Sequence, residues 1–233
     1  MIILRYVQSQ SGLTFAVGLL ARGAVEDTLW RSLTVTGKTR TKMDSATRLQ
    51  TLLVDSPIGA VLPAIALLNL PDWWLAGGAV RNTVWRSLFG NDCQLVINDF
   101  DIAFFDALGD SEALLLSADR SQELTAKVTL TAQFPDYKFD VKNQASFARW
   151  RPGRRPYNST EDGVTDWLHT ATAVGVRLDT QGQWQFFTPY GLDDLFNGII
   201  RPTPAHLHNP DAESKAVSFL QKCPCLQLSA NLL

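Results

Sequence analysis

The chain has 233 residues, 45% of them hydrophobic, enough to bury a core in one domain of ordinary to large size with an appendage. A formal net charge of -2 excludes the overall basic excess of a tight nucleic-acid binder, so a polyanion has to be met by a local patch. Cys93, Cys223 and Cys225 lack the spacing of a disulfide framework and fit free thiols, which sets a cytoplasmic expectation.

Residues 1–43 show no sustained hydrophobic period and are expected to form an irregular or weakly helical extension outside the fold. The apolar run Leu13–Ala21 is far shorter than the roughly 20 residues of a membrane span. As a signal sequence it is poor, because Arg5 is the single basic residue before it and polar residues 8–11 intervene. No membrane association is expected. Polar, turn-rich residues 34–45 read as a linker, with a boundary near Met43, itself an alternative start. A folded domain over 44–228 and a short tail, 229–233, follow.

With Ser45 as N-cap, Leu49, Leu52 and Leu53 fall at helical spacing up to Ser56-Pro57. A second helix is expected through IGAVLPAIALLNL, before Pro71. DWWLAGG reads as a short buried strand ending in a turn. AVRNTVWRSLFG then reads as a helix with Val80, Val84, Trp85 and Leu88 on one face and Gly90 as a left-handed cap. Residues 99–105 alternate, Phe100, Ile102 and Phe104 against Asp99, Asp101, Ala103 and Phe105, which is the period of a strand. Residues 111–133 read as mostly helical. YKFDVKN alternates again, Tyr137, Phe139 and Val141 opposite Lys138, Asp140 and Lys142. Residues 170–189 form a hairpin turning at Gly182, and GLDDLFNG a short helix closed by Gly198. The last helix takes Asn209 as N-cap, Pro210 at its first position and Pro224 as its stop. These elements argue an α/β (α+β) fold, a mixed β-sheet flanked by helices.

Two carboxylates at i and i+2 on one strand project from the same face, close enough to share a hard cation such as Mg²⁺ that completes its shell with water and phosphate oxygens. Asp99 and Asp101 have that spacing, and Asp140 on a neighbouring strand is the candidate third acid, suited to take a proton from an attacking hydroxyl. Gly77 and Gly78 open a helix whose N-terminus favours phosphate oxygens, and Arg81 offers a charge-assisted contact. Lys142 and Asn143 lie beside Asp140. Each signal alone is common as an ordinary turn or acidic strand end; their order along the chain is more specific.

LAGGAVRNTVW followed by NDFDIAFFD resembles the head domain of CCA-adding enzymes and bacterial poly(A) polymerases, in which GG-x-VRD precedes DxD. TATAVGVRLD with YGLDDLFNGIIRP is similar to the hairpin and glycine-leucine-aspartate-leucine helix of the same enzymes. Together with KFDVKNQASF, these blocks resemble a bacterial nucleotidyltransferase-like family of the polymerase-β superfamily, over roughly residues 45–228. The resemblance implies a five-stranded mixed sheet and transfer of a nucleoside monophosphate from an NTP to an acceptor hydroxyl, with release of pyrophosphate. It implies Mg²⁺ or Mn²⁺ as cofactor, held by Asp99, Asp101 and Asp140, and nucleotide contacts from Gly77, Gly78, Arg81, Lys142 and Asn143. Two departures stand out. Asn82 replaces the Asp of the motif, and the RRD nucleotide-selecting motif is absent, so CTP and ATP specificity does not carry over. Neck, body and tail domains are not found after IIRP, so tRNA end repair is not expected. The acceptor stays open between RNA, protein and small molecule; the alternative is a catalytically silent nucleotide-binding or regulatory module.

Other segments have weaker readings. Lys138, Lys142, Arg149, Arg151, Arg154 and Arg155, interleaved with Phe147, Trp150 and Tyr157, suit a triphosphate or a single strand of nucleic acid, or else a solvated loop whose arginines pair with carboxylates. Ser159 or Thr160 starts a helix, Asp193 and Asp194 are assigned structural roles, and Trp73, Trp74 and Trp85 belong to the core. The HLH of 206–208 sits at strand spacing without further ligands, and no zinc site is expected there.

Overall fold

Two strands, β1 (Ile2–Ser9) and β2 (Gly12–Leu19), pair antiparallel with Ile2 opposite Leu19 and Ser9 opposite Gly12. The computed structural model describes residues 2–9, 12–19, 44–107, 121–146 and 155–230. Paired strands replace the irregular or weakly helical segment expected here. Both arms are rich in Ile, Val, Leu, Tyr and Phe, the β-branched, aliphatic and aromatic types that suit a pleated ladder. The chain divides into two units, 1–43 and 44–233. The linker expected over 34–45 falls outside the described residues up to position 43.

The second unit opens with helix α1 (Ser45–Val54). Asp44, not Ser45, is its N-cap, accepting from the backbone N–H groups of Ala46 and Thr47 at 3.0 Å each. Ser56 caps α2 (Pro57–Leu67), with Pro57 in its first turn. The two helices are bent by 91°, and among the described residues no single helix is long and apolar enough to cross a membrane. Strand β3 (Trp74–Ala76) leads through Gly77 into α3 (Gly78–Phe89), and β4 (Asp99–Phe104) follows. Gly90 ends α3 at φ 57° and ψ -131°, a conformation reserved for glycine but outside the left-handed helical region expected of it. Helix α4 (Ser121–Gln133) precedes β5 (Lys138–Asn143); the earlier part of the helix expected over 111–133 lies outside the described residues.

A short helix α5 (Thr160–Thr165), capped by Ser159, comes next, and then the hairpin β6 (Gly175–Leu178) and β7 (Trp184–Phe187) around Gly182. Helix α6 (Asp193–Asn197), strand β8 (Ile199–Ile200), helix α7 (Pro210–Lys222) and strand β9 (Gln227–Leu228) complete the unit. The main sheet runs β5-β4-β3-β6-β7, with β4 and β5 parallel and the other neighbours antiparallel. This is the mixed, five-stranded α/β (α+β) arrangement expected, with α4 bridging the parallel pair.

The two faces of the sheet differ in chemistry. Phe100, Ile102 and Phe104 of β4, Phe139 and Val141 of β5, Leu75 of β3 and Val176 of β6 are buried in the main core with Leu49, Leu53, Ile58, Leu62, Val80, Val84 and Trp85 of the helices. Trp85 also donates its Nε1–H to the Leu195 carbonyl at 3.0 Å. The opposite face carries Asp99 and Asp101, with a small apolar cluster of Ala76, Ala103 and Val164 against which Trp167 and Phe187 pack.

Gly198 ties the ends of this layer together. It closes α6 at φ 67° and ψ 32°, where an added Cβ would stand 2.5 Å from the Phe89 ring. Gly198→Ala is therefore expected to destabilise the protein by about 1–3 kcal/mol, combining a left-handed backbone with overpacking; urea unfolding at unchanged m-value checks it.

Candidate active site

Strand register assembles the site. Ala76 of β3 stands opposite Asp101 of β4, and Asp101 stands opposite Asp140 of β5, one row across three strands. Neighbouring strands lie about 5 Å apart, so the second acid of the DxD and the later acid are direct neighbours. Asp99 pairs in register with Lys138, about 7 Å along the same face. The residue after Ala76 is Gly77, so the same row ends at the turn into α3.

Gly77 is the N-cap of α3 at φ 81° and ψ -133°, and no side chain caps the helix. A Cβ here would collide with the Trp167 ring and stand 3.1 Å from Asp101 Oδ2. The turn thus requires glycine twice, for its backbone angle and for its neighbours. The Arg81 charge and the nearby Gly78 backbone N–H at the start of α3 favour ionised Asp101. Burial opposes them most strongly, followed by repulsion from Asp99 and then Asp140, and the carboxyl is pushed up to about 6.

Arg81 is placed differently from the open phosphate contact expected of it. It is 5% exposed, lies 4.0 Å over the Phe219 ring and donates from Nε and Nη2 to Asn82 Oδ1 (3.2 and 2.9 Å) and from Nη1 to Thr172 Oγ1 (2.8 Å). Burial draws its pKa down to about 10 against the pull of Asp101 and Asp99. It acts on the acids through the field of a fixed buried cation. Asn82 in turn donates Nδ2–H to the Val96 carbonyl at 2.7 Å, holding the segment that leads into β4. An Asp there could accept from Arg81 but could not donate to Val96.

Asn143 also departs from its expected role. Its Oδ1 accepts from the N–H groups of Asp106 and Ala145 (3.0 and 3.1 Å) and its Nδ2 donates to the Asp106 carbonyl (2.9 Å), so the amide fastens the ends of β4 and β5 instead of facing a nucleotide. Lys142 does lie by Asp140, with Nζ 3.1 Å from Oδ1 and both side chains about half exposed, at 47% and 51%.

Of the basic and aromatic segment, 147–154 lie outside the described residues. Arg155 pairs with Asp162 through two bonds of 2.7 and 2.6 Å. Asp194 accepts from Thr170 Oγ1 and Arg201 Nε (2.7 and 2.8 Å), a structural use. The HLH stretch is not a strand: His206 ends the 3-10 helix Pro204–His206 and a turn follows, and buried His206 bonds the Asp166 carbonyl and Asn209. Among the described residues no group of three or more His, Cys, Asp or Glu side chains converges to hold a metal ion. Asp99 and Asp101 still suit Mg²⁺, which commonly takes one or two carboxylates and fills its shell with water and phosphates. The repulsion between these acids is what a cation would relieve.

A nucleotidyltransferase family model matches residues 63–228. The chain belongs to this family. A protein solved by NMR, described as revealing a CCA-adding enzyme head domain, is 29% identical with a TM-score of 0.62, over 80% of this chain and 96% of that one. The Thermotoga maritima CCA-adding enzyme complexed with tRNA matches at 15% identity and TM-score 0.50, over 78% of this chain and 42% of that one. A CCA-adding enzyme complexed with CTP gives the same TM-score of 0.50 and identity of 15%, again with 42% of its length covered. The chain thus spans less than half of those enzymes and shares the fold of their matched part. No curated protein matches significantly.

Sequence reasoning missed Trp167 and Thr172 as neighbours of the site. The sole local signal was a large aromatic in the polar stretch DGVTDWLH.

Asp101→Asn removes a charge that its surroundings penalise. In metal-free protein it is expected to raise unfolding free energy at neutral pH by about 1–3 kcal/mol. The parent's folded state binds the Asp101 proton more tightly than its unfolded chain, so this group lowers stability as pH rises from the ordinary carboxylate range to about 6. The gap between variant and parent should therefore open across that window. Urea unfolding in EDTA at roughly pH 4 to 8 measures it; a variant less stable than the parent at neutral pH would mean the Gly78 and Arg81 interactions dominate.

Proposed function

We propose that the chain is a metal-dependent nucleotidyltransferase that moves a nucleoside monophosphate from an NTP to an acceptor hydroxyl and releases pyrophosphate. The observation that carries this reading is the row formed by the glycine turn, Asp101 and Asp140 across three adjacent strands, with Asp99 on the same face. Family membership, and the fold shared with a CCA-adding enzyme complexed with CTP, support this substrate class.

Asp99 and Asp101 present the oxygen pair that would hold Mg²⁺ or Mn²⁺. When bound, the metal offsets triphosphate charge and favours ionisation of the acceptor hydroxyl. The positive end of the α3 dipole and the fixed charge of Arg81 favour a polyanion at the Gly77–Gly78 turn. Lys142, about half exposed beside Asp140, is the nearby cation for a phosphate. Asp140 takes the acceptor proton; the acceptor oxygen bonds the α-phosphorus in line as the bond to pyrophosphate breaks. Free thiols at Cys93, Cys223 and Cys225 agree with a cytoplasmic setting.

The second reading is a nucleotide-binding module without transfer, and the Lys142–Asp140 pair is the observation on its side. Incubation with α-labelled NTPs, Mg²⁺ or Mn²⁺ and RNA, protein or small-molecule acceptors separates the two. Label transfer is expected, and Asp99→Ala or Asp101→Ala should reduce it by at least about a hundredfold, since even outer-shell partners of a metal are worth ten to a hundredfold. Metal-dependent NTP binding with no transfer to any acceptor would instead establish the silent module.

A further inference from the structure

Trp167 follows Asp166, the C-cap of α5. Its N–H donates to the Val164 carbonyl at 3.2 Å and its own carbonyl accepts from Thr203 Oγ1 at 2.8 Å, while the next carbonyl, Leu168, accepts from Thr203 N–H at 3.0 Å. The backbone is therefore fixed from two directions. The side chain is only half-buried, packed on Ala76, Ala103 and Val164 on the acidic face of the sheet.

Its ring reaches the glycine turn. The point where a Cβ on Gly77 would sit lies inside contact distance of Trp167 Cζ3, 2.9 Å from Cη2 and 3.1 Å from Asp101 Oδ2. An indole and the DxD carboxylate thus flank the same position at the start of α3. The ring meets the turn with its Cζ3–Cη2 edge; acids and phosphates gain little from an indole, whereas a flat, weakly polar group does.

We propose that Trp167 is the wall on which the nucleoside of a bound NTP packs, with its phosphates directed to the Gly77–Gly78 turn. This rests on the nucleotide reading above and adds that the site grips the nucleoside as well as the triphosphate. The indole is suited to this because its backbone is already fixed, so little ordering accompanies binding. Stacking on an aromatic side chain tolerates any base. Trp167 therefore supplies affinity without choosing among ATP, CTP, GTP and UTP, in keeping with the absent RRD motif.

Calorimetric titration of the full chain with each of the four NTPs and with inorganic tripolyphosphate, all with Mg²⁺, tests this in the parent, Trp167→Phe and Trp167→Ala. The Ala variant should bind NTP about ten- to a hundredfold more weakly, the loss of one base stack, while tripolyphosphate binding stays within about twofold of the parent. The Phe variant, which keeps an aromatic face and guards against a folding defect, should retain most NTP affinity. An Ala variant that binds NTP as the parent does, or that loses NTP and tripolyphosphate in equal measure, overturns the inference alone. A parent that binds neither NTP nor tripolyphosphate overturns the nucleotide reading, and the inference with it.

Discussion

Strand β4 can bury Phe100, Ile102 and Phe104 only by turning Asp99 and Asp101 to the other side of the sheet, and the site follows from that two-residue period. The three aromatic and aliphatic side chains join the main core, which α1, α2 and α3 help to build. The opposite face is left with carboxylates, small residues and a half-buried indole. Pairing then supplies the rest: antiparallel to β3, the strand meets the glycine turn, and parallel to β5, it meets Asp140. A one-residue slip of β4 would put two carboxylates into the core and three apolar side chains into the site, so register and chemistry are secured by the same burial.

Grouping three acids on one face creates an electrostatic problem, and the first turn of α3 carries the response. Asp101 is favoured in its ionised form by the charge of Arg81 and the nearby Gly78 N–H, yet burial and its acidic neighbours still prevail. Arg81 can stay buried because Asn82, Thr172 and the Phe219 ring occupy its donors and its flat face. Asn82 is effective here as an amide, since it accepts from the guanidinium and donates to Val96 together. A departure from the family motif that looks like the loss of an acid is, in three dimensions, a two-way clamp between α3 and the approach to β4.

The readable parts of the chain were those whose physics is local. The period of β4 and β5, the hairpin at Gly182, the Gly198 stop and the Asn209–Pro210 start of α7 follow from neighbours within a few residues. The direction of Arg81 was not readable, because its partners Thr172 and Phe219 are far along the chain, and an arginine in a first helical turn serves phosphate or core equally well by sequence. Asn143 is similar: its partner Asp106 lies at the end of another strand. Trp167 became part of the site only when the turn after α5 met the turn before α3. The cap at Asp44 differs in kind; adjacent Asp and Ser are both good N-caps, and the carboxylate, one residue earlier, reaches two N–H groups.

The Lys142–Asp140 pair bears on how the proposed chemistry could begin. In the structure the lysine pairs with Oδ1 of the carboxylate proposed as the base, which taken alone argues for a silent site. Both side chains are about half exposed, however, and pairs of that kind contribute about 0–1 kcal/mol. A triphosphate offers the lysine a denser set of anionic oxygens than one carboxylate can. Movement of Lys142 from Asp140 to phosphate would therefore forfeit little from this pair and, on the proposed reading, leave the carboxylate available as a base once substrate is in place. On the proposed reading the pair is a resting arrangement that keeps one of three crowded acids neutralised until a nucleotide takes its cation away.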